Sequence, residues 1–278
     1  MSPPTNSYAL HRNYHSSARL NAQNHLWKDA LGYSLHPCIG LTGDSAPRIA
    51  DIGTGTGIWM MDVKREYPAA QIDGFDISFA QCPPPEWLPD GVRLRELDLY
   101  EPLPAELEGI YDVVHLRLFF VVIRNDDPGP VLRNMLRMLK PGGWLQWSEH
   151  NYESWSVQSV GGRETPALDE MMNLMKQTGL GRWVPGLPDL FAQHGMVDVR
   201  KALHPCSPHS RVYWSQLQFN SNEEYSYLAM DNSTADAAGP RLRTLIGQAA
   251  DECRQGAGFD FTIEVALGRK SVGERQLI

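Results

Sequence analysis

The chain has 278 residues, 42% of them hydrophobic and 9% aromatic, enough for one large domain or a core domain with additions. Its 25 Lys and Arg stand against 33 Asp and Glu, and a net charge of −8 argues against a nucleic-acid partner, which would be met by a basic surface. The longest apolar run, Leu118 to Ile123, is far short of the roughly 20 residues that cross a bilayer, so no membrane partner is expected.

The N-terminal stretch Met1 to Arg19 is polar, with Pro3-Pro4, Asn6 and Asn13 suggesting a loose arm. It lacks the positive-then-apolar order of a signal peptide, and a cytoplasmic location is expected. A helix is predicted over Ser17 to Tyr33, where Leu20, Asn24, Trp27 and Leu31 share one face. Pro37 and Pro47 end it. From Arg48 to about Glu149, β-prone runs alternate with helical or turn segments. Strands are predicted at Arg48–Ile52, Gln71–Asp76, Val92–Leu97, Asp112–Leu116 and Trp144–Ser148, the pattern of a parallel sheet covered by helices on both faces. Beyond Asn151 the composition changes. Helices are predicted at Thr165–Leu180, with a Met171 to Met175 stripe that reads as core, and at Leu187–Gly195. Met196–Leu203 reads as a strand, Tyr213–Gln255 as mostly helical, and Phe259–Leu267 alternates as a final strand. Arg269–Ile278 reads as a solvated tail.

Cysteine and histidine spacing supports neither disulfides nor metal. Cys38, Cys82, Cys206 and Cys253 are far apart, and no CxxC pair occurs. His11 and His15 are four apart, but Arg12 stands where a metalloprotease would need glutamate. No metal is expected.

The chemistry-bearing signal is Asp51-Ile-Gly53-Thr54-Gly55-Thr-Gly57, a glycine-rich turn directly after an apolar strand and before a probable helix, Trp59 to Glu66. Glycines let a ligand lie against backbone N–H groups at the start of that helix. Ile58 stands where a dinucleotide fingerprint would need its third glycine. The order with Asp51 suits S-adenosylmethionine better than NAD, since that ligand has no pyrophosphate and carries an ammonium that an acidic turn can hold. Two further acids follow in series. Asp76 ends the second strand about twenty residues on, where a carboxylate accepts from ribose hydroxyls, with Asp73 as the competing candidate. Asp98 ends the third strand and can accept from an adenine amine while Leu97 or Leu99 packs the ring.

These landmarks, with Tyr111-Asp-Val-Val-His115-Leu-Arg117 and Leu139-Lys-Pro-Gly-Gly-Trp-Leu145, resemble the class I S-adenosylmethionine-dependent methyltransferases. The resemblance implies an α/β, doubly wound, Rossmann-like sheet of seven strands with the last antiparallel. It also implies a cofactor site in which Gly53, Thr54 and Gly55 contact the amino-acid part, Asp76 and Ile77 the ribose, and Asp98 and Leu99 the adenine. His115 and Arg117 would meet the methionine portion. Asn13-Tyr14, Arg19-Leu-Asn21 and His25-Leu-Trp27, together with Asp51-Ile-Gly-Thr-Gly-Thr-Gly-Ile-Trp59 and His115-Leu-Arg117, resemble more narrowly the fungal secondary-metabolism methyltransferases, among them a regulator-like branch and the gliotoxin bis-thiomethyltransferase. That resemblance makes Tyr14 and Trp27 candidates for an N-terminal lid, although Trp27 reads equally as a core anchor. Residues 1–47 are then an arm and lid helix, and 48–278 the cofactor-binding domain with helical insertions near 152–190 and 205–256.

Methyl transfer is an in-line displacement that asks mainly for alignment and exclusion of water. A thiol acceptor needs little help, whereas an amine or phenol would use a base. His115 is the expected catalytic residue, with His150 and Glu149 as other candidates. Each has a plainer reading: a backbone-bonded wall, a solvated ring and a partner of Arg117. Phe119 and Phe120 are the expected substrate-binding aromatics, with Trp147, Trp155 and the methionine stripe also available. The expected partner is a small natural product, preferably a dithiol, with O- or N-methylation or a regulator without turnover as alternatives. Composition says nothing of oligomeric state.

Overall fold

A computed structural model describes residues 10–41, 46–231 and 238–273. Pro3, Pro4 and Asn6 of the expected arm, and 274–278 of the expected tail, lie outside the described residues. Helix α1 (Tyr14–Leu31) precedes strand β1 (Arg48–Ile52), helix α2 (Ile58–Glu66), β2 (Gln71–Asp76), β3 (Val92–Glu96) and β4 (Tyr111–Arg117). Helix α3 (Gly129–Met138), β5 (Leu139–Ser159), α4 (Pro166–Gln177), α5 (Leu187–Gln193), β6 (Met196–Pro205), α6 (Arg211–Tyr225), α7 (Ala238–Arg254) and β7 (Ala257–Lys270) complete the order. The sheet runs β3-β2-β1-β4-β5-β7-β6, with β7 antiparallel. The order reverses direction beside β1, where β1 pairs in parallel with both β2 and β4. In open α/β sheets that reversal opens a crevice at the C-terminal strand ends.

The chain divides into two compact units. One comprises Leu31–Asn151, Leu180–His204 and Ile263–Ile278. Strands buried on both faces need nearly continuous apolar sequence, and β1 and β4 supply it: Ile49, Ala50, Ile52, Val113, Val114 and Leu116 are almost wholly removed from solvent. Side chains from α3, including Leu132 and Met135, join Trp147 of β5 in that core. Each such large apolar side chain contributes about 1.5–3 kcal/mol through burial.

The other unit comprises Met1–Ala30, Tyr152–Gly179 and Pro205–Thr262. Aromatic rings dominate its interior. Trp27 meets Trp214 edge-on at 6.0 Å, Trp214 meets Phe261 at 5.4 Å, and Phe261 stacks on Trp155 at 4.7 Å. Within this unit α7 packs against α4 and α6.

Three local expectations are corrected. Strand β5 is 21 residues long, because its ladder continues past the polar residues Glu149 to Asn151, which the apolar pattern had marked as an end. Phe119 to Ile123, whose apolar run also suits the buried start of a helix, does not open as one: Leu118 takes a left-handed φ of 52°, and only short turns follow before α3. Arg269 and Lys270 belong to β7 rather than a tail, held because Arg269 donates to the Gly142 carbonyl and Lys270 to the carbonyls of Leu136 and Leu139.

Candidate active site

The site lies at the C-terminal ends of β1, β2 and β4, within the first unit described. β1 delivers the chain into a turn in which Gly53, Gly55 and Gly57 have φ of 65°, 58° and 76°, a left-handed region that Cβ-bearing residues rarely adopt. Gly57 is the N-cap of α2 and supplies no side-chain cap, so the first N–H groups of the helix are left to other acceptors. The turn is held from beneath. The Thr54 N–H donates to the Phe75 carbonyl at 2.9 Å, and its hydroxyl donates to Asp51 Oδ2 at 2.7 Å. Space is tight on both sides: a Cβ on Gly53 would come within 3.1 Å of the Phe119 ring, and one on Gly74 within 2.5 Å of the Met60 sulfur.

Register explains the central pair. β1 and β4 place Asp51 directly opposite His115, and Asp51 Oδ1 lies 2.8 Å from His115 Nδ1. The imidazole is 2% exposed and stacks on Trp59, with ring centroids 3.7 Å apart and planes 3° apart. Burial drives its pKa below the ordinary histidine value, and the Asp51 carboxylate only partly restores it. The ring is therefore neutral at pH 7, with Nδ1–H donated to Asp51. Arg117, at the end of β4, has its pKa lowered by burial to about 10, with Asp51 and Asp62 opposing the shift. It keeps its charge.

The two candidate ribose acids separate cleanly. Asp73 lies inside β2, buried, and accepts from the Tyr111 hydroxyl at 2.7 Å while pairing with Arg48 at 3.4 Å. Asp76 ends the strand, where its carboxylate accepts from the N–H groups of Gly55 at 3.0 Å and Ile77 at 2.8 Å. Ile77 beside it is exposed. Asp98 accepts from the Tyr100 N–H at 2.9 Å and pairs with Arg124 at 3.3 Å, and that guanidinium covers the Tyr100 ring at 3.9 Å. Leu99 is buried in the adjoining core.

Asp51, Gly53, Thr54, Gly55, Asp76, Ile77, Asp98, Leu99, His115, Arg117, Phe119 and Phe120 thus all fall in one unit, on the ends of neighbouring strands. Tyr14 and Trp27 fall in the other. Tyr14 is exposed at the start of α1, and Trp27 is buried among the aromatic rings there. His150 is buried, and desolvation lowers its pKa to about 3.

Sequence reasoning missed three residues of the site. Trp59 follows the glycine turn by two residues, a place legible only as the core face of a helix. Met60 forces Gly74 to be glycine, and nothing in a strand pattern reveals that. Arg124 reaches Asp98 from a loop with left-handed φ at Asn125 and Asp126, residue types that tolerate that region but give no sign of which side chain the loop carries to Asp98. Among the described residues no group of three or more His, Cys, Asp or Glu could hold a metal, and no helix is long and apolar enough to cross a membrane.

A family model described as a methyltransferase domain matches residues 22–203. The chain is 34% identical over 166 residues to Methyltransferase grgD of Penicillium sp, covering 55% of this chain and 56% of that protein. It is 28% identical over 201 residues to N-methyltransferase tcpN of Claviceps purpurea, covering 68% and 69%. To the Secondary metabolism regulator LAE1 of Hypocrea atroviridis it is 37% identical over 121 residues, covering 43% and 33%. These matches span between 33% and 69% of the relatives' own lengths. Among solved structures, phosphoethanolamine N-methyltransferase 2 of Haemonchus contortus has a similar fold, with a TM-score of 0.52, 13% identity, and coverage of 92% of this chain and 58% of that one.

Proposed function

The chain belongs to the methyltransferase-domain family, and from that premise we propose that it binds S-adenosylmethionine at the glycine turn and methylates a small natural product. The observation that carries this reading is the series of carboxylates at or beside successive strand ends, Asp51, Asp76 and Asp98, around a turn whose three glycines are all left-handed. That donor set fits the ligand. The glycine turn and Thr54 receive the amino-acid portion, Asp76 and the Ile77 backbone the ribose, and Asp98 with Leu99 the adenine. When bound, the sulfonium cofactor supplies an electrophilic methyl group.

The residues of the chain bind, orient and exclude water. Asp51 is fixed by Thr54 and His115, so its carboxylate can face a cationic ligand without rearranging. His115 is assigned as the positioning partner of Asp51, in place of the general base expected from sequence, because its ring is enclosed by Asp51 and Trp59 and has almost no exposed edge. Phe119 is assigned as a wall of the site beside Gly53. Trp27 is assigned to the core of its own unit rather than to a lid.

The acceptor we favour is a soft or neutral heteroatom. A thiol follows from the resemblance to the fungal bis-thiomethyltransferase, and an amine nitrogen is supported by the N-methyltransferase relative. A thiol suits a site in which His115 and His150 are both weakly basic. Regulation without turnover is a second reading, supported by the LAE1 relative. Incubation with methyl-labelled cofactor and a panel of dithiol, amine and phenol metabolites separates these readings. Label is expected in one metabolite class. Tight cofactor binding with transfer to none would favour the regulator, and no binding would sink both.

A further inference from the structure

Glu149 is fully removed from solvent in β5, two residues beyond Trp147 and on the same face of the strand. Its Oε1 accepts two hydrogen bonds, from the Trp147 indole N–H at 2.7 Å and the Phe119 backbone N–H at 2.8 Å. Its Oε2 is buried without a hydrogen-bond partner among the described residues. A carboxylate in that position would bury a charge with one oxygen unsatisfied, which is strongly unfavourable. A carboxylic acid removes the buried charge, with the proton on Oε2 and Oε1 left to accept both donors. Burial pushes the group up to about 8, and the hydrogen bonds from the Trp147 indole and from the backbone N–H groups of Phe119 and Phe120 oppose that shift without cancelling it.

What Glu149 holds is the sharp exit of the chain from β4. Leu118 sits at a φ of 52°, which a side chain with a Cβ rarely adopts, and its N–H donates to the Ser148 carbonyl at 3.0 Å. The next N–H, of Phe119, is taken by Glu149. Two consecutive donors of the turn are thus captured by two consecutive residues of β5, and the Phe119 ring is left packed over Gly53.

We propose that Glu149 is a positioning residue that works as a neutral carboxylic acid, locking Phe119 against the glycine turn and so shaping the cofactor site from the β4 side. The inference rests on the methyltransferase reading for what the site binds, but not for the latch itself.

The test is calorimetric titration of the full chain with S-adenosylhomocysteine, together with hydrogen exchange at the Phe119 amide. Glu149→Gln keeps a neutral group with an acceptor oxygen, so its affinity should stay within about threefold of wild type and the amide should stay protected. Glu149→Ala removes the acceptor, so affinity should fall about fivefold or more and the amide should exchange faster. Wild-type affinity in Glu149→Ala would overturn the proposal. So would equal damage in Glu149→Gln, which would mean that a carboxylate is required. Should Glu149→Ala fail to fold, Glu149→Gln against wild type still decides by the same two readouts. Absence of binding in the wild type would sink the functional reading instead, while protection of the Phe119 amide in wild type and Glu149→Gln would still support the latch.

Discussion

Asp51, His115 and Glu149 show how a few buried polar groups set the character of the site. Asp51 and His115 are 64 residues apart in the chain and meet only because β1 and β4 pair in parallel with that register. Each satisfies the other, so neither is left as an unpartnered polar group in the core, which would cost about 1–3 kcal/mol. Glu149 avoids burying a charge by keeping its proton, and this has a measurable consequence. Its pKa in the folded chain, about 8, lies above the value of about 4.3 for an unfolded glutamate. Between those values the folded state holds a proton that the unfolded state has lost. The stabilisation is therefore complete below about pH 4.3, falls as pH rises through the window, and is gone above about pH 8. Thermal unfolding followed from pH 5 to 8 should show a midpoint that declines with pH in the wild type and declines less in Glu149→Gln. Parallel slopes in the two proteins would show that Glu149 is ionised in the folded state.

At the level of elements, the glycine turn and β2 must fit together at close range. Met60, on the buried face of α2, reaches over Gly74 of β2, where Thr54 Oγ1 also approaches. Gly74→Ala would push its Cβ into the Met60 sulfur and should cost about 1–3 kcal/mol as overpacking, read from denaturant unfolding. Met60→Ala in the same chain should recover part of that loss by making room, and a neutral Gly74→Ala would mean that the helix and strand are more loosely packed than described. The strands that carry the site were legible from sequence because apolar runs bounded by glycine and proline define them: β1 and β2 have the predicted limits, β3 ends one residue early, and β4 is one residue longer at each end. The rest depends on pairing between distant segments. Strand β5 runs on through polar residues because its neighbours supply the ladder, and Leu118 is left-handed because Ser148 and Glu149 hold the following turn. Neither condition leaves a trace in local composition. In the site, the glycines and the serial acids were readable as a motif, whereas the choice of Asp76 over Asp73 needed strand ends located to within a residue. Trp59 was legible as a motif and helix-face residue but not as the ring that stacks on His115, and Met60 and Arg124 act through space.

Over the whole molecule, the acidic balance of −8 has a partly local meaning, since Asp51, Asp76 and Asp98 converge on one end of the sheet. Three separated stretches of sequence, Met1–Ala30, Tyr152–Gly179 and Pro205–Thr262, supply a unit with its own aromatic core, while the stretches between and after them supply the sheet that carries the site. Family membership fixes the domain type, and the relatives are matched over 33% to 69% of their own lengths. The central claim is that the glycine turn and its strand-end acids form a cofactor site. Calorimetric titration of the full chain with S-adenosylhomocysteine tests it most directly when wild type, Asp76→Ala and Asp73→Ala are compared. Saturable binding is predicted in the wild type, with Asp76→Ala weaker by about 1.5–3 kcal/mol, as expected for lost hydrogen bonds to a charged group, and Asp73→Ala altering stability rather than affinity. No saturable binding in the wild type, or an affinity unchanged by Asp76→Ala, would contradict the account.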